Sequence, residues 1–141
     1  MRGIVVVALA CWLGLLRGAA AQEPRYDAGA QSCQPYRKGV IDRPWQVSAP
    51  RGPVPVGQPI TVGLREKYGE AGTRRLVRAR IVGAATSLDS KPVAMVDDTF
   101  VDVEFPDDFR PRQELGPGVY TVLWLLAEGG GFLACDGFVV R

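Results

Sequence analysis

The chain has 141 residues, 17 basic and 15 acidic, with no histidine and no asparagine. Without histidine no side chain titrates near neutral pH unperturbed, so Ser-His-Asp and Cys-His dyads are excluded, and without asparagine there is no Asn-x-Ser/Thr glycosylation site. Discounting Arg2 and Arg17 of the leader leaves 15 basic against 15 acidic residues, far from the basic surplus by which nucleic-acid binders neutralise phosphate.

Residues 1–21 have the three parts of a secretory signal peptide: Arg2, the apolar run Ile4 to Leu16, and the small residues Ala19, Ala20 and Ala21 before Gln22. Arg17 interrupts the run short of the ~20 apolar residues a membrane span needs, so no transmembrane segment is expected after cleavage. Cys11 is not read as a lipid-attachment site, because the apolar stretch before it is short. Its removal leaves Cys33 and Cys135, an even number in an oxidising compartment, and they are expected to form one disulfide. The expected localisation is secreted or extracellular, or periplasmic if the source is bacterial. The organisation read from the chain is a signal peptide over 1–21, a flexible lead-in over 22–32 and a single β-sandwich domain over 33–141.

From Cys33 onward, short runs rich in Val, Ile, Leu and aromatics alternate with Pro and Gly clusters, and no helix is predicted. The first strand is expected over Gly39 to Ser48. After the Pro50 to Gly57 connector, Gln58 to Glu66 directs Ile60, Val62 and Leu64 inward and Thr61 and Arg65 outward. Lys67 to Thr73 reads as a turn. Arg74 to Val82 sets Val77, Ala79 and Ile81 against Arg78 and Arg80. A short strand follows over Pro92 to Val96, then Thr99 to Phe105, where Val101, Val103 and Phe105 alternate with Asp102 and Glu104. Val119 to Leu126 is apolar on both parities, as expected of a central strand covered on both faces. It pairs with Phe132 to Val140 across Gly129-Gly130-Gly131, and parity directs the Cys135 sulfur inward. About seven strands result, and the predicted fold class is an all-β, immunoglobulin-like antiparallel sandwich.

Among polar side chains, Asp97, Asp98, Asp102, Glu104, Asp107 and Asp108 are numerous but match no calcium-loop spacing. They are read as solvated surface, with Asp102 and Glu104 facing Arg78 and Arg80. Those two arginines are the candidates for contact with an anionic group. No metal site, catalytic residue or cofactor is expected. Most of the aromatics, Trp45 and Trp124 among them, are assigned to the core.

The segments Val101-Asp102-Val103-Glu104-Phe105-Pro106, Pro117-Gly118-Val119-Tyr120-Thr121-Val122 and Leu133-Ala134-Cys135, with the strand approach Pro55-Val56-Gly57-Gln58-Pro59, resemble the ML lipid-recognition family. The resemblance is carried mainly by residues 99–140. It implies two sheets that splay apart to admit a sterol or acyl chain, and a last strand whose cysteine is bonded to the first. Carried over by position, Val101, Val103, Phe105, Val122, Trp124 and Leu126 become cavity-wall candidates. The expected function is a secreted, non-enzymatic protein that binds a lipid, sterol or phospholipid, or another apolar small molecule. The alternative is an immunoglobulin-like interaction module that recognises another extracellular protein or a glycan. Nucleic acid is not an expected partner.

Overall fold

Period-two alternation dominates the chain, and a computed structural model shows what it builds over residues 23–35, 45–67, 74–96 and 98–141. The described residues form eleven strands and no helix. These are β1 (Arg25–Asp27), β2 (Ser32–Gln34), β3 (Trp45–Ser48), β4 (Ile60–Glu66), β5 (Arg74–Gly83) and β6 (Thr86–Ser90), then β7 (Val93–Val96), β8 (Val101–Phe105), β9 (Phe109–Arg110), β10 (Gly118–Leu126) and β11 (Phe132–Val140). The expected signal peptide over 1–21, residues 39–44 of the expected first strand, 68–73 of the expected turn, and Asp97 lie outside the described residues.

Two sheets make the sandwich. One has the order β3-β4-β8; the other runs β11-β10-β5-β6-β9, with β7 also paired to β5. Every named strand pair is antiparallel. Three strands facing a sheet of this order reproduce the immunoglobulin-like plan. A further feature of that plan is present at the start of β10, where the Tyr120 hydroxyl donates to the Gly116 carbonyl at 2.8 Å. Burial raises the Tyr120 phenol above its ordinary 10.0, which keeps it a donor over the whole working range of pH.

Alternation decides the core. Ile60, Val62 and Leu64 of β4 and Val103 and Phe105 of β8 meet Val77, Ala79 and Ile81 of β5, with Tyr120, Val122 and Trp124 of β10, in one cluster between the sheets. Phe109 tilts against Phe105 at 6.0 Å, and Tyr120 stacks on Phe138 at 5.5 Å. Trp124 and Phe109 are fully buried, and rings of that size remove a large apolar area from water.

β10 is covered on its second face too. A hairpin of β1 and β2, shaped by Asp27 Oδ1 accepting from the amides of Gly29 and Ala30 at 2.8 and 3.0 Å, lies on the outside of β10 and β11. There Tyr26 and Cys33 pack with Leu123, Leu125 and Cys135 in a second cluster. The Tyr26 amide donates to Thr121 Oγ1 at 2.9 Å, and a Cys33–Cys135 disulfide closes the contact. The hairpin therefore gives Leu123 and Leu125 the cover that their parity requires.

Four expectations change here. The 22–32 stretch, read as a flexible lead-in, contains β1, because Tyr26 finds an apolar surface to cover. The disulfide joins this added hairpin to β11 rather than tying two strands within the sandwich. Cys135 points outward, not inward: a bulge between Trp124 and Leu125 moves the register from Ala134 to Phe132, so Leu133 turns into the core and Cys135 stands opposite Leu123. The strand count rises from about seven to eleven through β1, β2, β6 and β9. The hairpin between β10 and β11 forms as expected, with Gly129 and Gly130 at φ of 77° and 68°, a geometry open to glycine at little cost.

Docking of the hairpin needs a missing side chain. A Cβ at Gly137 would fall on Tyr26 Cβ and Cγ and on the Tyr120 carbonyl oxygen. Gly137→Ala is expected to lower stability by about 2–3 kcal/mol, as overpacking does in a site that cannot relax. Tyr26 would be displaced, which near-ultraviolet circular dichroism and thermal melting would register; an unchanged melt would disprove the close approach.

Candidate binding sites

At one end of the sandwich the two sheets leave an apolar cleft of about 200 Å³. Ile60 opens β4, Phe105 closes β8, Val140 ends β11, and Leu115 reaches in from the connection before β10; Gln58, Arg112, Gln113 and Glu114 form a polar rim. The connector from Pro55 to Gln58 turns at Gly57, whose φ is 85°. It is held to β11 through Val54, whose amide donates to the Val139 carbonyl at 2.8 Å while its carbonyl accepts from the Arg141 amide at 2.9 Å. On the other side, the Tyr120 hydroxyl fixes Gly116 and so places Leu115 over the opening. Sequence reasoning found Ile60 and Phe105 from their alternation. It missed Leu115, a lone apolar residue between polar ones, and Val140.

The six wall candidates all face the space between the sheets. Val103, Phe105, Val122 and Trp124 are buried there, and Val101 and Leu126 are half-buried at its margin. They pack with one another and with Phe109 and Phe138, and of the six it is Phe105 that lines the end cleft.

The two candidate arginines separate. Arg80 forms a bidentate pair with Asp89 at 2.7 and 3.1 Å, which raises its pKa further, chiefly through that hydrogen bond. Arg78 makes no ion pair among the described residues, and its Nε is buried without a hydrogen-bond partner. Asp102 and Glu104 face neither arginine, since β8 belongs to the other sheet and β6 supplies the partner. The acidic residues instead disperse. Asp98 pairs with Arg65 at 3.1 Å, Asp107 with Arg112 at 3.6 Å and Asp108 with Lys91 at 2.8 Å. Among the described residues, no three such side chains converge as metal ligands would.

The Asp108 carboxyl is held below the usual carboxylate range, first by Lys91 and then by the Glu104 amide, which donates to it at 2.8 Å. A lowered folded value contributes stability that is complete above the ordinary 3.8 and lost as pH falls through the folded value. Asp108→Asn is therefore expected to be less stable than the parent at neutral pH and to converge with it in strong acid. Urea unfolding at several pH values checks this; a gap independent of pH would exclude the carboxylate as its source.

One buried carboxylate escaped sequence reasoning entirely. Asp136 is 4% exposed and receives both terminal nitrogens of Arg51, at 2.7 and 3.0 Å, from 85 positions away. No local pattern reports a partner so distant. Arg51→Ala leaves that carboxylate buried and unpaired, so it is expected to cost about 2–3 kcal/mol, whereas Asp136→Asn should cost less. Denaturant midpoints for the two variants check the order.

No known protein family matches the sequence of this chain, and no curated protein matches it. Among solved structures, the chain is similar to the Pseudomonas fluorescens alkylpurine DNA glycosylase AlkC, bound to DNA containing an abasic site analog. The identity is 17% and the TM-score 0.43; the match covers 72% of this chain and 31% of the other, so the chain spans about a third of that protein. A superposition of that quality transfers neither fold nor function to this chain.

Proposed function

We propose that the protein is a secreted, non-enzymatic immunoglobulin-like interaction module that seats one apolar side chain of a protein partner in the end cleft. The observation that carries this reading is the cleft itself: an apolar floor of Ile60, Phe105, Leu115 and Val140 with a polar rim, at the edge of a well-packed sandwich. Pockets for drug-sized ligands span about 300–1,000 Å³, and this one measures about 200 Å³. That suits a single Leu or Phe anchor. Apolar centre and polar rim are also the usual anatomy of a protein interface, in which a few anchors supply most of the affinity. Export is supported by the leader sequence and by the disulfide, and a chain lacking histidine lacks the commonest general base.

The second reading is lipid binding, favoured by one observation. Phe105, a wall residue under the resemblance to the ML family, does line an opening between the two sheets, and the end of an acyl chain is apolar enough to occupy it.

Selection of displayed peptides on the oxidised protein tests the first reading. Enriched peptides should share one large apolar residue, lose binding when it is replaced by alanine, and bind more weakly to a Gln113→Trp variant that obstructs the rim. Organic extraction with mass spectrometry, and uptake of fluorescent sterol and phospholipid, tests the second. Stoichiometric lipid and no anchored peptide would reject the interaction module in favour of the lipid carrier.

A further inference from the structure

The six-stranded sheet contains a break. β6 pairs with Arg80 to Gly83 of β5, whereas β7 pairs with Arg74 to Val77. Between these two partners lie Arg78 and Ala79, and the Ala79 amide is satisfied by a side chain, donating to Ser90 Oγ at 2.9 Å. Where β6 leaves the sheet, an open cleft of about 400 Å³ forms, lined by Arg78, Asp89, Ser90, Lys91 and the β8–β9 turn with Arg110.

Each acidic side chain of this cleft is already engaged. Asp89 holds Arg80, Asp108 holds Lys91, and Asp107 lies 3.6 Å from Arg112. Arg110 spends its guanidinium on the carbonyls of Asp107 and Phe109, at 3.0 and 2.6 Å. Arg78 is left as a half-buried guanidinium with no acidic partner among the described residues, and its Nε is removed from water without a hydrogen bond. A partly desolvated cation is costly unless paired. We infer that Arg78 anchors a carboxylate-binding site in this cleft, separate from the end cleft and independent of what occupies that one.

The charges select the class of ligand. A guanidinium fork matches a planar carboxylate with two parallel hydrogen bonds, and Arg110 of β9 adds a further positive charge. The three aspartates that line the same cleft oppose a second negative charge. A singly charged carboxylate therefore fits better than a phosphate or a sulfated glycan. It can come from an acidic side chain of a peptide or from a free small acid.

Nuclear magnetic resonance of the oxidised, 15N-labelled protein tests the site through the arginine Nε–H signals. Sodium acetate, a capped glutamate-containing peptide and sodium sulfate are titrated at constant ionic strength. The Arg78 signal is expected to shift saturably with both carboxylates and to need several-fold more sulfate. Tighter half-saturation by the peptide than by acetate would assign a peptide source, and the reverse a small acid; both uphold the site. Arg78→Lys, which keeps the charge and loses the fork, is expected to weaken carboxylate binding about tenfold, the equivalent of ~1.4 kcal/mol. Neighbouring amides report binding in that variant. Arg65→Gln, on β4 of the opposite sheet and outside both clefts, serves as a control that leaves binding unchanged. Absence of a saturable response to either carboxylate, a response unaltered in Arg78→Lys, or preference for sulfate would overturn the inference.

Discussion

Cys135→Ser in the oxidised protein is expected to lower stability by about 2–5 kcal/mol, the range found when small secreted domains lose a native disulfide. The bond spans 102 residues, so in the chain-entropy description it removes close to the largest share of unfolded-state freedom that one link in this chain can remove. At a shift of roughly 4 °C per kcal/mol, where the ranges for smaller and larger domains meet, the melting temperature should fall by about 8–20 °C. The loss has a local part as well. Tyr26, Leu123 and Leu125 remain as apolar contacts between the hairpin and the sheet, with one hydrogen bond from the Tyr26 amide to Thr121 Oγ1, and so short a hairpin has little stability of its own. Hydrogen exchange should therefore rise first in β1, β2 and the outer face of β10, while the amides of β4 and β5 stay protected. A melting temperature insensitive to reductant, or two free thiols in the exported protein, would remove the basis of this expectation.

Trp124→Ala is the second large effect, expected at about 3–5 kcal/mol, because the largest fully buried side chain of the core leaves a cavity that rigid strands cannot close. Trp124→Phe separates two contributions to that figure. The indole Nε1 is buried without a hydrogen-bond partner, a state that costs about 1–3 kcal/mol relative to a satisfied donor. Phenylalanine keeps most of the apolar contact and removes the unmet donor, so its net cost should stay below about 1.5 kcal/mol. Urea denaturation with constant m-values resolves the two variants. Equal destabilisation by alanine and phenylalanine would show that the indole donor is satisfied in solution.

The strands that alternate cleanly were legible from the residues. Ile60, Val62 and Leu64, then Val77, Ala79 and Ile81, then Val103 and Phe105 face inward as their parity requires, because a half-buried strand has one apolar and one polar side. Val119 to Leu126 was legible as a strand covered twice; what covers its second face was not, since β1 and β2 are three residues each and too short for periodicity to register. Thr86 to Ser90 escaped because Ser87, Asp89 and Ser90 resemble a loop, yet Leu88 is fully buried and Asp89 is drawn to Arg80. The candidate sites were the least legible. Leu115, Val140 and Gln58 meet only after the chain has folded, and the difference between Arg78 and Arg80 depends on which of the two stands opposite a carboxylate across β6, a register that composition does not encode.

The link between Cys33 and Cys135 also determines how the domain bears mechanical load. When Glu23 and Arg141 are pulled apart, tension runs along the hairpin, through the sulfur atoms and out along the end of β11 that follows Cys135, bypassing the strands between the two cysteines. The loop closed by the link, a sequence separation of 102 at about 3.4 Å of extended length per step, forms a reserve on the order of 350 Å that stays slack until the bond is reduced. Under stretching, the oxidised protein acts as a short tether with its sandwich intact, and the reduced protein as a long one.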